Sequence, residues 1–477
     1  MNTVVECGRW QVACGIEIPQ SEIRNPHVTC HDGIDRFGVN WHGRSVAVLG
    51  LGKSGVAACQ LLQRLGCRVR ASELRDVQEL RVVADRLRES GVERVELGSH
   101  SPQLLEGCDV VVVSPGIPES ALPLQWAQQE ARPVVSEVEL AFRFCAAPIV
   151  AVSGTNGKSS VVTLIQRVLE AAGRPAVACG NLGVPFSTVL PSMTANTLAV
   201  VEVSSFQLLW CEEFRPAIGV LLNLGVNHLD RHHHRDGYIA AKARLFRRQT
   251  PQDYAVLNGC DPLVAALGAQ LASQRVWFGA NQENAPAFQL DPATCQALPE
   301  NLQAVLQVAR ILGVPDPLTY QIMREFRGLE HRLEYVATIR GVRIVNDSKS
   351  TTPESLRYAV ERCPGRVVPI VGGKDKGLDF SLLAASLTQE RVRGIVLLGE
   401  SRPRLRALLN GHAAVQECET LEDAVQAALH LAHPGDTLLF SPACASFDMF
   451  RNFEERGRIF KQLVRQLEEK QSMVDVT

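Results

Sequence analysis

Residues 149–160 read IVAVSGTNGKSS, and they are the most informative stretch of the chain about its fold. Residues 149–153 form a short apolar run, typical of a buried parallel strand. The helix predicted after it places apolar side chains on one face: Val161, Leu164, Ile165, Val168 and Leu169. Gly173 stands where a C-terminal cap belongs. The stretch therefore predicts a strand, a tight loop and a helix in succession.

The loop in the middle, residues 154–159, predicts a phosphate-binding site. Loops of this kind point successive backbone N–H groups and the positive end of a helix at phosphate oxygens. Lys158 is then placed to reach the terminal phosphates of a nucleoside triphosphate, and Ser159 to ligate magnesium. The alternative is a chance glycine-rich turn, but the flanking strand and helix favour the phosphate loop.

Strand-like apolar runs alternate with helical patterns from Arg44 onward, which predicts stacked α/β units. Three series of units begin near Arg44, near Ile149 and with an apolar strand run at residues 335–346. We predict three consecutive α/β domains at residues 44–139, 140–332 and 333–477. They are a Rossmann-like N-terminal domain, a P-loop central ATPase domain and a Rossmann-like C-terminal domain. Residues 1–43 show no clear periodicity and form an extension of unknown role.

Composition narrows the class of protein. The 477 residues carry a formal net charge of -2, which gives no reason to expect nucleic acid or an anionic membrane as a partner. No apolar run approaches the roughly 18 residues that span a bilayer, and no signal-peptide layout opens the chain. We therefore expect a cytoplasmic protein. The 14 cysteines include no C-x-x-C pair, which favours reduced thiols.

Three polar residues of the central domain are candidate site residues, and Glu202 lies where an acid could meet the metal of the neighbouring phosphate loop. Glu202 ends an apolar strand, His228 follows the next strand, and Lys242 lies on a predicted helix. A buried carboxylate at a strand end needs a cation or hydrogen-bond donors. Each residue also has a plain alternative: a salt bridge, a satisfied loop histidine and a solvated helix face, respectively. The three histidines at 232–234 are interpreted as solvated loop residues rather than metal ligands.

A second glycine loop lies in the first domain. Residues 50–55 (GLGKSG) follow a strand and open a helix, and Glu73 ends the next strand. By itself this pattern weakly suggests a dinucleotide site. A nicotinamide-dependent dehydrogenase would use it, but that function leaves the phosphate loop of the second domain unexplained.

Several linked motifs together resemble the Mur ligase family over roughly residues 44–470. In the central domain they are GTNGKSS (154–160), GNLG (180–183), EVSSFQL (202–208), NHLDRH (227–232) and AAKARLF (240–246). In the third domain they are HR (331–332), NDSKST (346–351), GGKDKG (372–377) and SPACASFDMFRNFEERG (441–457).

The resemblance implies a role for each matching residue. ATP binding is implied for Gly154, Thr155, Asn156, Gly157, Lys158, Ser159, Asn301, Arg332 and Asp347. Two magnesium sites are implied for Ser159, Glu202, His228 and a carbamylated Lys242. Catalytic roles are implied for Lys158, Lys242, His228 and Lys349. Binding of a UDP-linked substrate is implied for Lys53, Ser54, Gly55, Glu73, Arg75, Gly116, Asn181, Ser204 and Gln207. Amino-acid binding is implied for Thr351, Lys376, Ser446 and the backbone of Phe453.

The resemblance also implies a reaction and its substrates. ATP would phosphorylate the carboxylate of UDP-N-acetylmuramoyl-L-alanine, and D-glutamate would attack the acyl phosphate, a step of peptidoglycan precursor synthesis. ATP and Mg²⁺ are the implied cofactors. The enzyme is expected to act as a monomer, without nucleic acid and without membrane insertion.

The sequence departs from the family at one place. A Gly-x-His-Asn stretch is usual before the helix that carries Asn301, and its His-Asn pair is absent here. A nucleotide-binding regulator without catalytic activity is therefore one alternative. A polyglutamate ligase of the folate type is another, although it would not need a UDP-binding N-terminal domain.

Overall fold

The computed structural model describes residues 33–181, 183–225, 235–279, 299–375, 379–409 and 414–474. The described chain divides into two compact units, and the boundary lies between Glu325 and Phe326. The first unit contains two parallel sheets, and the second contains a third, mixed sheet. The predicted α/β fold class is confirmed.

The first sheet is all parallel and follows Rossmann-like winding. Its strands are β1 Ser45–Leu49, β2 Arg68–Glu73, β3 Arg94–Leu97, β4 Val110–Val113 and β5 Val134–Ser136. Its helices are α1 Lys53–Arg64, α2 Gln78–Glu89, α3 Leu122–Gln129 and α4 Glu137–Arg143. The strand order β3-β2-β1-β4-β5 places β1 at the point where the winding reverses. Ligands of such sheets bind in the crevice at the carboxyl ends of the strands there.

The second sheet is also parallel, and buried strands line its centre. Its strands are β6 Ile149–Ser153, β7 Ala176–Gly180, β8 Leu198–Glu202, β9 Ile218–Leu221, β10 Tyr254–Asn258 and β11 Gln274–Phe278. Its helices are α5 Lys158–Ala171, α6 Phe186–Val189, α7 Ser205–Leu208, α8 Arg235–Ala243, α9 Pro262–Gly268, α10 Pro299–Ile311 and α11 Asp316–Glu325. The order β11-β10-β9-β6-β8-β7 places β6 between β9 and β8.

The third sheet belongs to the second unit. Its strands are β12 Glu334–Ile339, β13 Val342–Asn346, β14 Val367–Val371, β15 Ile395–Leu397, β16 Val415–Glu417 and β17 Thr437–Phe440. Its helices are α12 Pro353–Arg362, α13 Ser381–Leu387, α14 Arg402–Leu408, α15 Leu421–Leu431 and α16 Phe453–Val474. The order is β12-β13-β17-β14-β15-β16, in which only the β12–β13 pair is antiparallel among the described strands.

The strand run predicted at residues 335–346 is two strands rather than one. Arg340 (φ 51°) and Gly341 (φ 73°) both adopt left-handed backbone conformations and turn the chain back on itself. Such a turn joins neighbouring strands of a hairpin. The antiparallel edge strand β12 is the result, so the third sheet is not the purely parallel sheet that the sequence suggests.

The predicted element around the phosphate loop is confirmed. Ile149–Ser153 is a strand, and the five apolar positions predicted on one face of the next helix are all at most 1% exposed. Gly173 follows the helix in a left-handed conformation (φ 72°), as its predicted capping position requires. Every described cysteine is a free thiol.

Residues 33–43, the described part of the N-terminal extension, pack onto the first unit. Asp35 is fully buried and accepts two backbone N–H groups of its own loop, each at 2.9 Å. The indole N–H of Trp41 donates to the same carboxylate at 3.0 Å, and Arg143 at the end of α4 lies 3.4 Å away. Trp41 is buried and meets the ring of Phe144 edge-on. Asp35 therefore fastens this segment to α4.

Asp35→Asn should destabilise the first unit by roughly 2–4 kcal/mol. All four partners of Asp35 are donors, and an amide nitrogen would face two of them in place of an oxygen. The shift in the denaturant midpoint measures this loss. Asp85→Asn is the control, because Asp85 forms an exposed ion pair with Arg88 that should matter little. Equal shifts in the two variants would contradict the role given to Asp35.

Candidate active site

The phosphate loop joins β6 to α5 and is shaped by two glycines. Gly154 (φ 152°) and Gly157 (φ 86°) adopt backbone conformations that other residues rarely adopt. A Cβ atom at Gly157 would stand 2.3 Å from the side-chain nitrogen of Asn301. Asn301, at the start of α10, is therefore packed directly against the loop. Only glycine allows this close approach.

Lys158 is the first residue of α5, and its side chain folds over the loop. Its Nζ atom donates to the carbonyl oxygens of Gly154 and Thr155, both at 2.8 Å. Each bond holds the ammonium group beside the backbone that would surround a phosphate. Because the N-terminus of a helix also favours anions, the loop and Lys158 form a strongly anion-binding cradle.

Glu202 lies beside this loop at the end of β8, which is hydrogen-bonded to β6. It is 2% exposed. The Ser159 hydroxyl donates to its Oε2 atom at 2.7 Å, and the side-chain amide of Asn181 donates to its Oε1 atom at 2.7 Å. The carboxylate and the hydroxyl are both oxygen donors of the kind that Mg²⁺ prefers. The residues present thus fit a magnesium ion.

Lys242 is almost completely buried on α8, at 2% exposure, so the solvated helix face considered above is wrong. Its Nζ atom donates to the carbonyl of Gly154 at 3.0 Å and lies 3.3 Å from the Ser153 hydroxyl. Burial, reinforced by the positive charge of Lys158, lowers the pKa of Lys242 well below its ordinary value, against the attraction of Glu202. The environment of Lys242 therefore favours its neutral amine form more than that of an exposed lysine does.

His228, like the histidines at 232–234, lies outside the described residues. Within the described ranges, no three side chains of His, Cys, Asp or Glu come together as a metal-binding group. A metal site beside the loop would draw on Ser159 and Glu202.

A cavity of about 560 Å³ opens beside the phosphate loop. Its walls are formed by Asn223, Leu224, Arg235, Asn258, Cys260, Asp261, Pro262, Leu263, Glu300 and Asn301. Asn223 accepts the backbone N–H of Asn156 at 2.8 Å, which ties the cavity wall to the loop. Asp261 accepts the N–H of Leu224 at 2.7 Å. A cavity in this place can hold the nucleoside part of a triphosphate.

Neither Asn223 nor Asp261 is singled out by the motifs. Asn223 follows the end of β9 just as Glu202 ends β8, and polar residues at strand ends are one available signal. Asp261 precedes Pro262 and caps α9 with its side chain, which is a helix-start signal rather than a binding signal. Its second oxygen, which holds Leu224, is evident only from the fold.

The glycine loop of the first sheet lies at the carboxyl end of β1. Gly50 has a left-handed backbone conformation (φ 88°). A Cβ atom at Gly55 would stand 1.8 Å from the carbonyl oxygen of Gly50. Ser114, after β4, donates to the same carbonyl at 2.9 Å. The segments that follow β1 and β4 are therefore joined at this point. Of the other residues predicted there, Lys53 and Gly116 are exposed and Ser54 is half-buried.

Glu73 ends β2 beside this loop and is held by donors. It accepts the N–H of Leu51 at 3.1 Å and the guanidinium of Arg75 at 3.1 Å. Burial opposes ionisation of Glu73, but the hydrogen bonds from Arg75 and Leu51 outweigh it and lower its pKa. Glu73 is thus a fixed anionic acceptor at the edge of the crevice.

Ser204 and Gln207 form the N-terminal cap of α7. The Gln207 side chain accepts the N–H of Ser204 at 2.9 Å, and the Ser204 hydroxyl accepts the N–H of Gln207 at 3.3 Å. This reciprocal pair is a capping box. The side chain of Gln207 is 1% exposed, so it orders the start of α7.

In the second unit, Arg332, Asp347 and Lys349 lie on two adjacent segments. Asp347 accepts the N–H of Leu333 at 3.1 Å and the Ser441 hydroxyl at 2.8 Å. Burial raises the pKa of Asp347 to about 7, although these donors oppose the shift. Lys349 donates its backbone N–H to the carbonyl of residue 331 at 3.0 Å. The two segments therefore hold each other in register.

The residues predicted to bind an amino acid are also in the second unit. Ser446 is buried, Thr351 and Phe453 are half-buried, and Lys376 lies outside the described residues. The carbonyl oxygen of Phe453 accepts the hydroxyl of Ser348 at 2.8 Å. The NDSKST segment and the start of α16 are joined through this bond.

Comparisons with known proteins agree with this architecture. Three family models match: the Mur ligase MurD-like N-terminal domain at residues 44–136, the Mur ligase middle domain at residues 152–301, and the Mur ligase glutamate ligase domain at residues 331–444. Together they cover most of the chain.

Curated relatives are similar along nearly their whole length. The UDP-N-acetylmuramoylalanine–D-glutamate ligase of Geotalea uraniireducens is 38% identical over 446 residues, which cover 89% of this chain and 98% of the relative. The enzyme of the same name from Acidobacterium capsulatum is 38% identical over 445 residues, covering 88% and 96%.

Solved structures share the fold at low sequence identity. The UDP-N-acetylmuramate-alanine ligase of Thermotoga maritima has a TM-score of 0.53 at 17% identity and covers 90% of this chain and 99% of its own. The MurF ligase of the same organism, solved with ADP, has a TM-score of 0.54 at 17% identity, covering 89% and 96%. No described helix has both the length and the hydropathy needed to cross a membrane. The chain belongs to the Mur ligase family, whose members are ATP-dependent amide-bond-forming ligases that use Mg²⁺.

Proposed function

We propose that this chain joins D-glutamate to UDP-N-acetylmuramoyl-L-alanine at the expense of ATP, in the synthesis of peptidoglycan precursors. The relatives at 38% identity carry this activity in their names. The observation that carries the proposal is the group of side chains around residues 154–159. Lys158 and Lys242 both donate to the Gly154 carbonyl of this phosphate loop, and Ser159 of the loop donates to Glu202.

The substrates are assigned to three domains with the predicted boundaries. Residues 44–139 would bind the UDP precursor, residues 140–332 would bind ATP, and residues 333–477 would bind D-glutamate. Glu73, an acceptor held at the crevice of the first sheet, supports the first assignment. The cavity beside Asn223 and Asn301 supports the second. We also propose that the enzyme works as a monomer.

The proposed reaction begins with activation of the substrate carboxylate. A carboxylate oxygen attacks the γ-phosphorus of ATP, the bond from that phosphorus to the bridging oxygen breaks, and ADP leaves. The amine of D-glutamate then attacks the carbonyl carbon, loses a proton to solvent and expels phosphate. Lys158 would neutralise charge on the transferring phosphoryl group.

Ser159 and Glu202 would hold one magnesium ion, and His228 and a carbamylated Lys242 a second. Magnesium supplies neutralisation of phosphate charge when it is bound. The oxygen donors already paired at 2.7 Å support the first set.

The state of Lys242 supports carbamylation. A neutral amine attacks CO₂: a carbon–nitrogen bond forms, a proton is released, and the neutral side chain becomes an anion. Burial and the neighbouring Lys158 lower the pKa of the Lys242 amine, which favours the neutral form that reacts with CO₂. A carbamate would place an anion near Lys158 where two ammonium groups would otherwise repel.

Release of inorganic phosphate tests the proposed function most simply. The wild-type enzyme should release phosphate only when ATP, UDP-N-acetylmuramoyl-L-alanine and D-glutamate are all present. L-Glutamate is the matched control. Release that ignores the UDP substrate, or that is equal with folate-type acceptors, would contradict the proposal.

Lys158→Ala should lower kcat by about 1,000-fold or more, because a cation is lost where charge develops in the transition state. Steady-state phosphate release measures this effect. Near-normal ligation by the variant would refute the role of the phosphate loop.

Lys242→Ala should lose activity, and short carboxylic acids such as formate or acetate should restore part of it. The added acid would replace the carbamate in the space that the shortened side chain leaves. Lys158→Ala serves as the control, because an anion cannot replace its ammonium group and the same acids should leave it inactive. Full activity of Lys242→Ala without any additive would contradict the carbamate.

A further inference from the structure

A fully enclosed guanidinium group lies in the second unit, at Arg456. This residue is in the first turn of α16 and is 2% exposed, which makes it one of the largest buried side chains of the chain. Burial lowers its pKa to about 10, although Asp448, Cys444 and Asp347 favour its charge. A charge in such surroundings costs free energy unless its hydrogen bonds are satisfied. The hydrogen-bond partners of Arg456 therefore indicate the role of its buried charge.

Arg456 donates three hydrogen bonds to two separate loops. Nε donates to the Ser348 hydroxyl at 3.0 Å, and Nη2 donates to the Ser348 carbonyl at 2.7 Å. Nη1 donates to the carbonyl of Cys444 at 3.0 Å. Ser348 belongs to the NDSKST segment and Cys444 to the SPACAS segment. One planar side chain thus ties together the loops that follow β13 and β17, which are neighbouring strands.

Two more segments meet the same network. The Ser348 hydroxyl donates onward to the carbonyl of Phe453 at 2.8 Å, which fixes the start of α16. Gly373 of the GGKDKG segment lies so close that a Cβ atom there would stand 3.4 Å from Nη1 of Arg456 and 2.3 Å from the carbonyl of Ala445. Lys374 donates its N–H to that same carbonyl at 2.9 Å. These four segments, three loops and the start of α16, therefore meet around one guanidinium.

These segments carry the described residues assigned above to the amino-acid pocket: Thr351, Ser446 and Phe453. We propose that Arg456 is a positioning residue that fixes the geometry of this pocket without contacting the amino acid. The inference rests on the proposed function of the second unit. It deepens that function, because a rigid fork with several donors can hold loops in register where a single-point cation cannot.

The test compares Michaelis constants in the full-length enzyme. Arg456→Met should raise KM for D-glutamate by about tenfold or more, since small misplacements of binding groups are costly. KM for the UDP substrate should stay within about twofold, because its proposed site lies on the first unit. Arg456→Lys should fall between the wild type and Arg456→Met. KM does not depend on the folded fraction, so partial unfolding cannot imitate this pattern.

Arg393→Met is the matched control. Arg393 is another arginine of the second unit, and it pairs with Asp436 at 2.5 Å. This pair lies at the amino end of β17, away from the four segments. Its loss should lower the melting temperature but leave all three KM values within about twofold. An unchanged KM for D-glutamate in Arg456→Met would overturn this inference and leave the proposed function standing. So would an equal rise in all three KM values, or an equal rise in the control. A wild-type enzyme that released no phosphate with D-glutamate would overturn the proposed function and this inference with it.

Discussion

The carbonyl oxygen of Gly154 accepts hydrogen bonds from two lysine side chains, and the rest of the active site depends on this constraint. Lys158 and Lys242 both lie within 3.0 Å of that oxygen. Burial and the positive charge of Lys158 lower the pKa of Lys242. The Lys158 cation and a lysine amine with a lowered pKa thus share one acceptor, with the carboxylate of Glu202 nearby.

The three sheets share one arrangement of their candidate site residues. A parallel strand ends, and a loop at its carboxyl end carries the polar residues. Gly50 follows β1, Gly154 follows β6, and Asp347 follows β13. Parallel sheets put such loops on one edge, which is why the candidate residues of each domain come together although they are far apart in sequence. Glu202 and Ser159 are one such pair, and Arg456 draws the equivalent loops of the third sheet into one network.

The sequence predicts much of this arrangement, since apolar periodicity and glycine spacing are local signals. The strand before the phosphate loop, the buried face of α5 and Glu202 at a strand end all follow from the residues. The turn at Arg340 does not, because a non-glycine residue in a left-handed conformation leaves no sequence signal. Asp35 and Arg456 are missed for another reason. Each is defined by partners brought together only when the chain is folded.

Isotope transfer shows whether the carboxylate of the substrate accepts the γ-phosphate of ATP. UDP-N-acetylmuramoyl-L-alanine labelled with ¹⁸O in its carboxylate would be turned over with ATP and D-glutamate, and the released phosphate analysed by mass spectrometry. If the phosphate held over residues 154–159 passes to that carboxylate, each released phosphate carries an oxygen from the substrate. Phosphate without the label would mean that ATP is hydrolysed by water, and the account of this loop as the site of carboxylate activation would be wrong.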